Sequence, residues 1–212
     1  NSLVITDAAI SLFDLNSDYE KADVKLKIIG TNKNVIDYLN TSPINKKSFS
    51  KLTNIDGDSL INLNLKFPLL LDLPAEDIEY SSNVIIENAN FKKIFNDFSI
   101  DNFNLNIQID NEKVSYKGNG KLFDSQVEFS GLQSQSNKKF TDEINGKYIL
   151  KPYVIDFLFP DSDIKLDGQT EISFLINEGD NGFSKFEGIG DLSNLKIKSD
   201  FLGTNLDLKN GK

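Results

Sequence analysis

The sequence predicts a mainly β protein made of antiparallel hairpins and meanders, with one or two short helices. Three observations carry that prediction. Apolar residues take every second position over most of the chain, with Asn, Asp, Lys or Ser between them. Clusters of Gly, Asn and Asp, which supply the backbone freedom a tight turn needs, fall between the alternating runs. Helical spacing is confined to two short pieces.

In chain order, the alternation first appears over residues 24–28. A helical stretch follows over 34–39, where Val35, Ile36 and Leu39 share one face. Residues 40–57, with Pro43, paired lysines and mixed polar residues, read as the one long loop. The strand Leu63-Asn64-Leu65-Lys66-Phe67, preceded by Ile61, has one apolar face and one polar face, and the pattern recurs at 84–86 and at 103–109. Asp110-Asn111 and Phe123-Asp124-Ser125 are turns, and 127–129 is the strand after them. A second helical piece, 153–159, stops at Pro160, since the residue before a proline avoids the helical region. Residues 164–176 read as one long strand and 192–197 as another. Turns are expected at 179–182 and at Asn210-Gly211.

A short helical stretch, a loop and a long alternating strand occur in that order over 32–67 and again over 152–176. One unit used twice, about 20–131 and 142–208, accounts for the echo; so does the self-similarity that hairpin proteins share by composition. Either way, the 212 residues are expected to form a single β-rich unit, long enough to bury a core without staples.

Composition removes whole classes of chemistry. The chain has no Cys and no His, so thiol nucleophiles, thiolate metal sites, serine triads and histidine-ligated zinc are excluded. Every basic side chain is a lysine; the two-point fork that arginine offers to phosphates is missing. A net charge of -9, with the lysines scattered among acids, makes nucleic acid a poor partner. No run approaches the roughly 20 apolar residues of a membrane helix. With no Met and no signal-peptide pattern at Asn1, the chain is expected to be a piece of a larger protein.

Paired carboxylates are the remaining catalytic option: Asp56 with Asp58, Glu76 with Asp77, and Asp161 with Asp163. All three stand in loop or turn contexts, where acids are favoured for solvation and local hydrogen bonds, so a hydrolase is a weak reading. The stretch from Asp14 to Asp18 opens like a calcium loop. It fails at Tyr19, where the turn needs glycine, and at Lys25, where a bidentate glutamate belongs. Gly118-Asn119-Gly120 and Gly188-Ile189-Gly190 lack the third glycine and helix of a dinucleotide site; they read as glycines that relieve crowding or mark bulges in strands. Asn40-Thr41-Ser42 fits a glycosylation triplet, which is frequent in an Asn-rich chain. The aromatics are mostly phenylalanine, 16 against 6 tyrosines, and suit an apolar lining; Phe67, Phe103, Phe129 and Phe174 lie on alternating strands. No catalytic residue, metal or cofactor is expected.

The order of several motifs resembles the AsmA-like, YhdP-like bacterial envelope proteins. These are Lys27-Ile28-Ile29-Gly30, then 34–39, a polar loop, Asp58, and the strand that runs from Leu63 through Phe67-Pro68-Leu69-Leu70. The likeness continues through Asp77-Ile78-Glu79-Tyr80, Asn88-Ala89-Asn90-Phe91, residues 114–122 and residues 190–195. Beyond Leu195 it weakens, because Phe201-Leu202-Gly203 is not followed by tryptophan. The resemblance implies a long twisted sheet curled into an open groove. It also implies a place in the periplasm as part of an inner-membrane-anchored protein, and movement of phospholipid between inner and outer membranes. The family brings no catalytic residues. Partners would be phospholipid, flanking segments of the same chain and, through those segments, the two membranes. The lining expected on this reading is Ile61, Leu63, Leu65 and Phe67, with Val84 and Ile86, with Leu105, Ile107 and Ile109, and with Ile172, Phe174 and Ile176. Alternation alone equally fits a structural or adhesive β-sandwich in which those residues form a closed core.

Overall fold

The computed structural model describes residues 3–16, 20–41, 54–92, 99–136, 139–158, 165–178, 184–191, 193, 196–199 and 204–207. Among these residues the protein is mainly β, with one long antiparallel sheet that is not closed into a barrel and two short helices. The strands of this sheet are β1 (Val4–Phe13), β2 (Lys21–Thr31), β3 (Asp58–Pro68), β4 (Glu79–Phe91), β5 (Ile100–Asp110), β6 (Lys113–Leu122), β7 (Ser125–Ser136), β8 (Lys139–Leu150), β10 (Thr170–Glu178) and β11 (Ser184–Gly190). They lie side by side in chain order, ten strands from β1 to β11, with β9 (Lys165–Asp167) left out. That short strand pairs instead with β12 (Lys196–Ser199), which pairs with β13 (Thr204–Asp207) in a separate three-stranded sheet. Helix α1 (Asn32–Thr41) joins β2 to β3, and α2 (Pro152–Leu158) follows β8.

Alternation becomes architecture through register. Val24, Leu26 and Ile28 stand opposite Leu65, Leu63 and Ile61. Ile61 faces Val84, Val84 faces Ile107, and Ile107 faces Tyr116. Because paired residues in a sheet share a face, one side is a continuous apolar surface. The other side carries Lys25, Asn64 and Ser81 in one row and Lys27, Asn62, Asn83 and Gln108 in the next.

The turns follow from local chemistry. Phe123 and Asp124 both have positive φ, 50° and 52°, as the tight turn from β6 to β7 requires. Asp110 accepts hydrogen bonds from the N–H groups of Glu112 and Lys113, each at 2.9 Å, closing the turn from β5 to β6. Register shifts at the far ends of β4 and β5 accompany Asn88 (φ 51°) and Asn102 (φ 49°), in a region of backbone space that asparagine tolerates. Asn104 ties these irregularities together: its Oδ1 accepts from the Asn88 N–H at 3.0 Å. Its Nδ2 donates to the Asn102 carbonyl at 3.1 Å and to Asn119 at 3.0 Å. Bulges of this kind bend a strand and raise its twist.

Two expectations need correction. Residues 164–176 are not one strand. At Gly168, whose φ of 102° is open only to glycine, the chain leaves β9 and enters β10 in a different sheet. The strand expected over 192–197 is described only as β12, from Lys196, and Ser193 lies outside it. The helices extend differently from their apolar spacing. α1 starts at Asn32 because the Thr31 hydroxyl caps the Asn34 N–H at 3.3 Å. α2 starts at Pro152, a residue suited to the first helical position. The turns expected at 179–182 and 210–211 lie outside the described residues, as does most of the loop expected over 40–57.

Candidate functional site

The apolar face is not uniform. Its middle is core: Ile61, Val84, Ile86, Leu105, Ile107 and Ile109 are all buried, together with Phe103 and Val114. Val35 and Ile36 of α1 pack onto this cluster, as does Ile55, whose backbone bridges to Phe91. These six expected lining residues are therefore packed interior. An apolar side chain already shielded on its open side presents no surface to a ligand.

The flanks differ. Leu63, Leu65 and Phe67 on β3 are half-buried, as are Val24 and Leu26 beside them. Ile172, Phe174 and Ile176 on β10 are half-buried too, with Tyr148 opposite Ile172 and Ile144 opposite Ile176. At the β1 edge the face is open, with Ile10 69% and Leu12 53% exposed. The expected lining thus divides into a covered centre and two accessible shoulders.

The shoulder from β6 to β11 is built in a way the sequence did not announce. Gly118 stands opposite Phe129, Gly131 opposite Tyr116, and Gly146 opposite both Phe129 and Phe174. Each aromatic ring lies over a glycine on the neighbouring strand. A Cβ at Gly131 would come within 2.2 Å of the Tyr116 ring, and one at Gly118 within 2.5 Å of Phe129. Phe91, Phe103, Phe129 and Tyr116 form a run of rings, with centroids 5.9 Å, 5.9 Å and 6.4 Å apart. The result is an aromatic pavement laid on the backbone, with few protruding methyl groups. The signal in the sequence is a glycine at the apolar phase of an alternating strand, which the expectation about Gly118 and Gly120 caught in part.

The polar face holds a shallow recess of about 670 Å³, lined by Lys25, Lys27, Asn62, Asn64, Asn83 and Gln108 among others. The Oδ1 atoms of Asn64 and Asn83 are shielded from solvent without a hydrogen-bond partner. Sequence reading pointed to the opposite face, and nothing in the alternation marks this side as concave.

The carboxylate pairs divide between structural use and open solvent. Asp56 receives the Asn90 N–H at 2.6 Å and Asn90 Nδ2 at 3.3 Å, with Lys92 Nζ at 3.9 Å. The hydrogen bond from the Asn90 backbone is the main reason its carboxyl is held below the ordinary value. Those contacts pin the segment before β3 to the end of β4, an arrangement that positions no reacting group. Asp58 is exposed at the start of β3. Glu76 and Asp77 sit exposed in a single 3-10 turn, Ala75–Asp77. Asp161 and Asp163 lie outside the described residues, as does part of the calcium-like stretch. Among the described residues, no group of three or more His, Cys, Asp or Glu side chains could hold a metal ion, and no helix is long and apolar enough to cross a membrane.

No family model, curated protein or solved structure matches the chain.

Proposed function

We propose that this chain shelters phospholipid acyl chains on the accessible shoulders of its apolar face. The observation that carries the reading is a single continuous apolar face on an unclosed sheet, half-open at Leu63, Leu65 and Phe67 and again at Ile172, Phe174 and Ile176. Acyl chains need no directional contact. Each methylene removed from water contributes about 0.8 kcal/mol, so ten of them contribute about 8 kcal/mol before ordering costs are subtracted. The polar face would meet water while headgroups stay at the open margin. The order of motifs that resembles AsmA-like envelope proteins supports the same reading. On that resemblance, the work belongs to the periplasm, within an inner-membrane-anchored protein that passes lipid between the two membranes. No catalytic step is required.

The test is native mass spectrometry with lipid extraction on the protein purified from a bacterial envelope. Phospholipid is expected to co-purify with the wild type. It is expected to fall to background in a Leu65→Asp, Phe174→Asp variant that retains its far-ultraviolet circular dichroism. A folded, lipid-free wild-type protein would overturn the proposal. It would favour a structural β module instead, a reading supported by the closed centre at Val84, Ile107, Ile109 and Val114.

A further inference from the structure

We infer that the end of the ten-stranded sheet opposite the two helices is a membrane-contact edge, which places leucine side chains in the interface of a zwitterionic bilayer. Neighbouring strands run in opposite directions, so the connections after β2 and β8, which carry α1 and α2, lie at one end. The connections after β1, β3 and β5 lie at the other. There, Leu15 follows β1, and Leu69, Leu70 and Leu71 follow β3. Leu15 is 57% exposed, and Leu71, at 101%, is as open as in an extended peptide. One exposed leucine is ordinary; four on two adjoining connections form a patch.

The backbone that presents them is fastened down. The Leu69 N–H donates to the Glu20 carbonyl at 2.7 Å, which joins the second connection to the first. The Leu70 N–H reaches Pro68 at 3.0 Å, and the Asp77 and Ile78 N–H groups reach Pro74 and Ala75 at 3.1 Å and 3.3 Å. Asn111 closes the far side, donating to the Ile78 carbonyl at 2.8 Å and accepting from the Tyr80 N–H at 2.8 Å. Pro68 and Pro74 bracket the leucines and restrict the chain further. The segment is already ordered while its leucines are in water, so burying them costs little additional backbone entropy.

Charge selects the occupant. Asp14, Glu20, Asp72, Glu76, Asp77 and Glu79 lie on or beside these connections; the cations beside them include Lys66, Lys113 and Lys21, and Lys21 is paired with Asp14 at 3.2 Å. An acidic rim is repelled by anionic lipid. It complements the ammonium groups that form the outermost charged layer of phosphatidylcholine and phosphatidylethanolamine. Leucines seated at the acyl boundary with carboxylates beside those ammonium groups satisfy both chemistries at once. This contact goes beyond the sheltering of acyl chains on the sheet face and does not depend on it.

The test is flotation of the full chain with phosphatidylcholine–phosphatidylethanolamine vesicles. Wild-type protein is expected to float and to bind less as anionic phospholipid is added. A Leu15→Ser, Leu71→Ser variant is expected to bind about tenfold less, because both side chains are exposed and their loss leaves the fold intact. A polarity-sensitive fluorophore on Leu71→Cys should shift to the blue when vesicles are added. Protein that stays down, that floats only with anionic vesicles, or whose double variant floats like the wild type, overturns the inference. So does a blue shift that grows with protein concentration in the absence of vesicles, which assigns the patch to a protein partner. The Leu65→Asp, Phe174→Asp variant should lose co-purified lipid yet still float, which separates failure of this inference from failure of the acyl-chain reading.

Discussion

Gly146 and Gly131 both sit beneath aromatic rings, yet what surrounds them differs in a way that predicts different tolerance. A Cβ at Gly131 would meet the Tyr116 ring and hydroxyl at 2.2–2.5 Å, all of them side-chain atoms. At Gly146 it would meet Phe174 at 2.2 Å and also the Glu128 carbonyl oxygen at 2.6 Å, which belongs to the neighbouring strand's backbone. A ring can rotate away; a backbone carbonyl in a sheet moves only with its strand. Gly146→Ala should therefore cost about 2–3 kcal/mol in urea unfolding, and Gly131→Ala about 1 kcal/mol, in keeping with the range for overpacking. Asp56 supplies a prediction in pH. Its carboxyl is depressed in the folded state, so it contributes stability above the unfolded value, and that contribution is lost as pH falls through the folded one. The difference in stability between wild type and Asp56→Asn should be present at neutral pH and fade below about pH 4. Its size should stay under about 1 kcal/mol, because the side chain is 46% exposed and screened.

At the scale of elements, α1 depends on Asn32, which is fully buried at the helix start. Its N–H donates to the Gly57 carbonyl at 2.9 Å, its side-chain amide donates to the Asp56 carbonyl, and its Oδ1 accepts from the Ser59 hydroxyl. Asn32→Ala strips partners from two groups at the foot of β3 and should cost about 1–3 kcal/mol in thermal or urea unfolding. It should also release the cover that Val35 and Ile36 give the core, raising hydrogen exchange in β3 and β4. Much at this scale was legible in advance. Strands over 24–28, 61–67, 84–86, 103–109 and 127–129, both helices and the two tight turns all follow from period, proline and turn chemistry. What escaped were β1 and β8, which fall in none of those runs, and features decided by distant partners. Asn32 looks like an ordinary polar residue until Gly57 and Ser59 are brought beside it. Gly168 looks like one more glycine in an alternating run until the chain is seen to change sheets there. Likewise, the glycine seats under Phe129 and Phe174 exist only once register sets which strands face each other.

For the whole molecule, alternation correctly divided the chain into apolar and polar faces but could not say how much of the apolar face is covered. Val35 and Ile36 of α1 join the buried cluster from beside β2 and β3, while the outer parts of β3 and β10 stay half-open. The twelve expected lining residues are consequently six core residues and six accessible ones. Apolar-to-charged changes should separate them. Ile107→Asp, at a buried site, should collapse the fold, by about 3 kcal/mol or more; Leu65→Asp should cost less and act mainly on lipid retention, measured by denaturation alongside extraction. The two helices also mark the sheet. α1 follows its second strand and α2 its eighth, six positions apart at the same end.

That spacing has an arithmetic. In a meander each strand reverses the chain, so only an even number of strands returns it to the same end facing the same way. A sheet of this kind can lengthen or shorten by whole hairpins, about 9–10 Å at a time, and keep its wet and greasy sides in phase. Gaining or losing one strand would instead send the next helix to the opposite end, among the exposed leucines. The molecule is in this sense a ruler graduated in pairs.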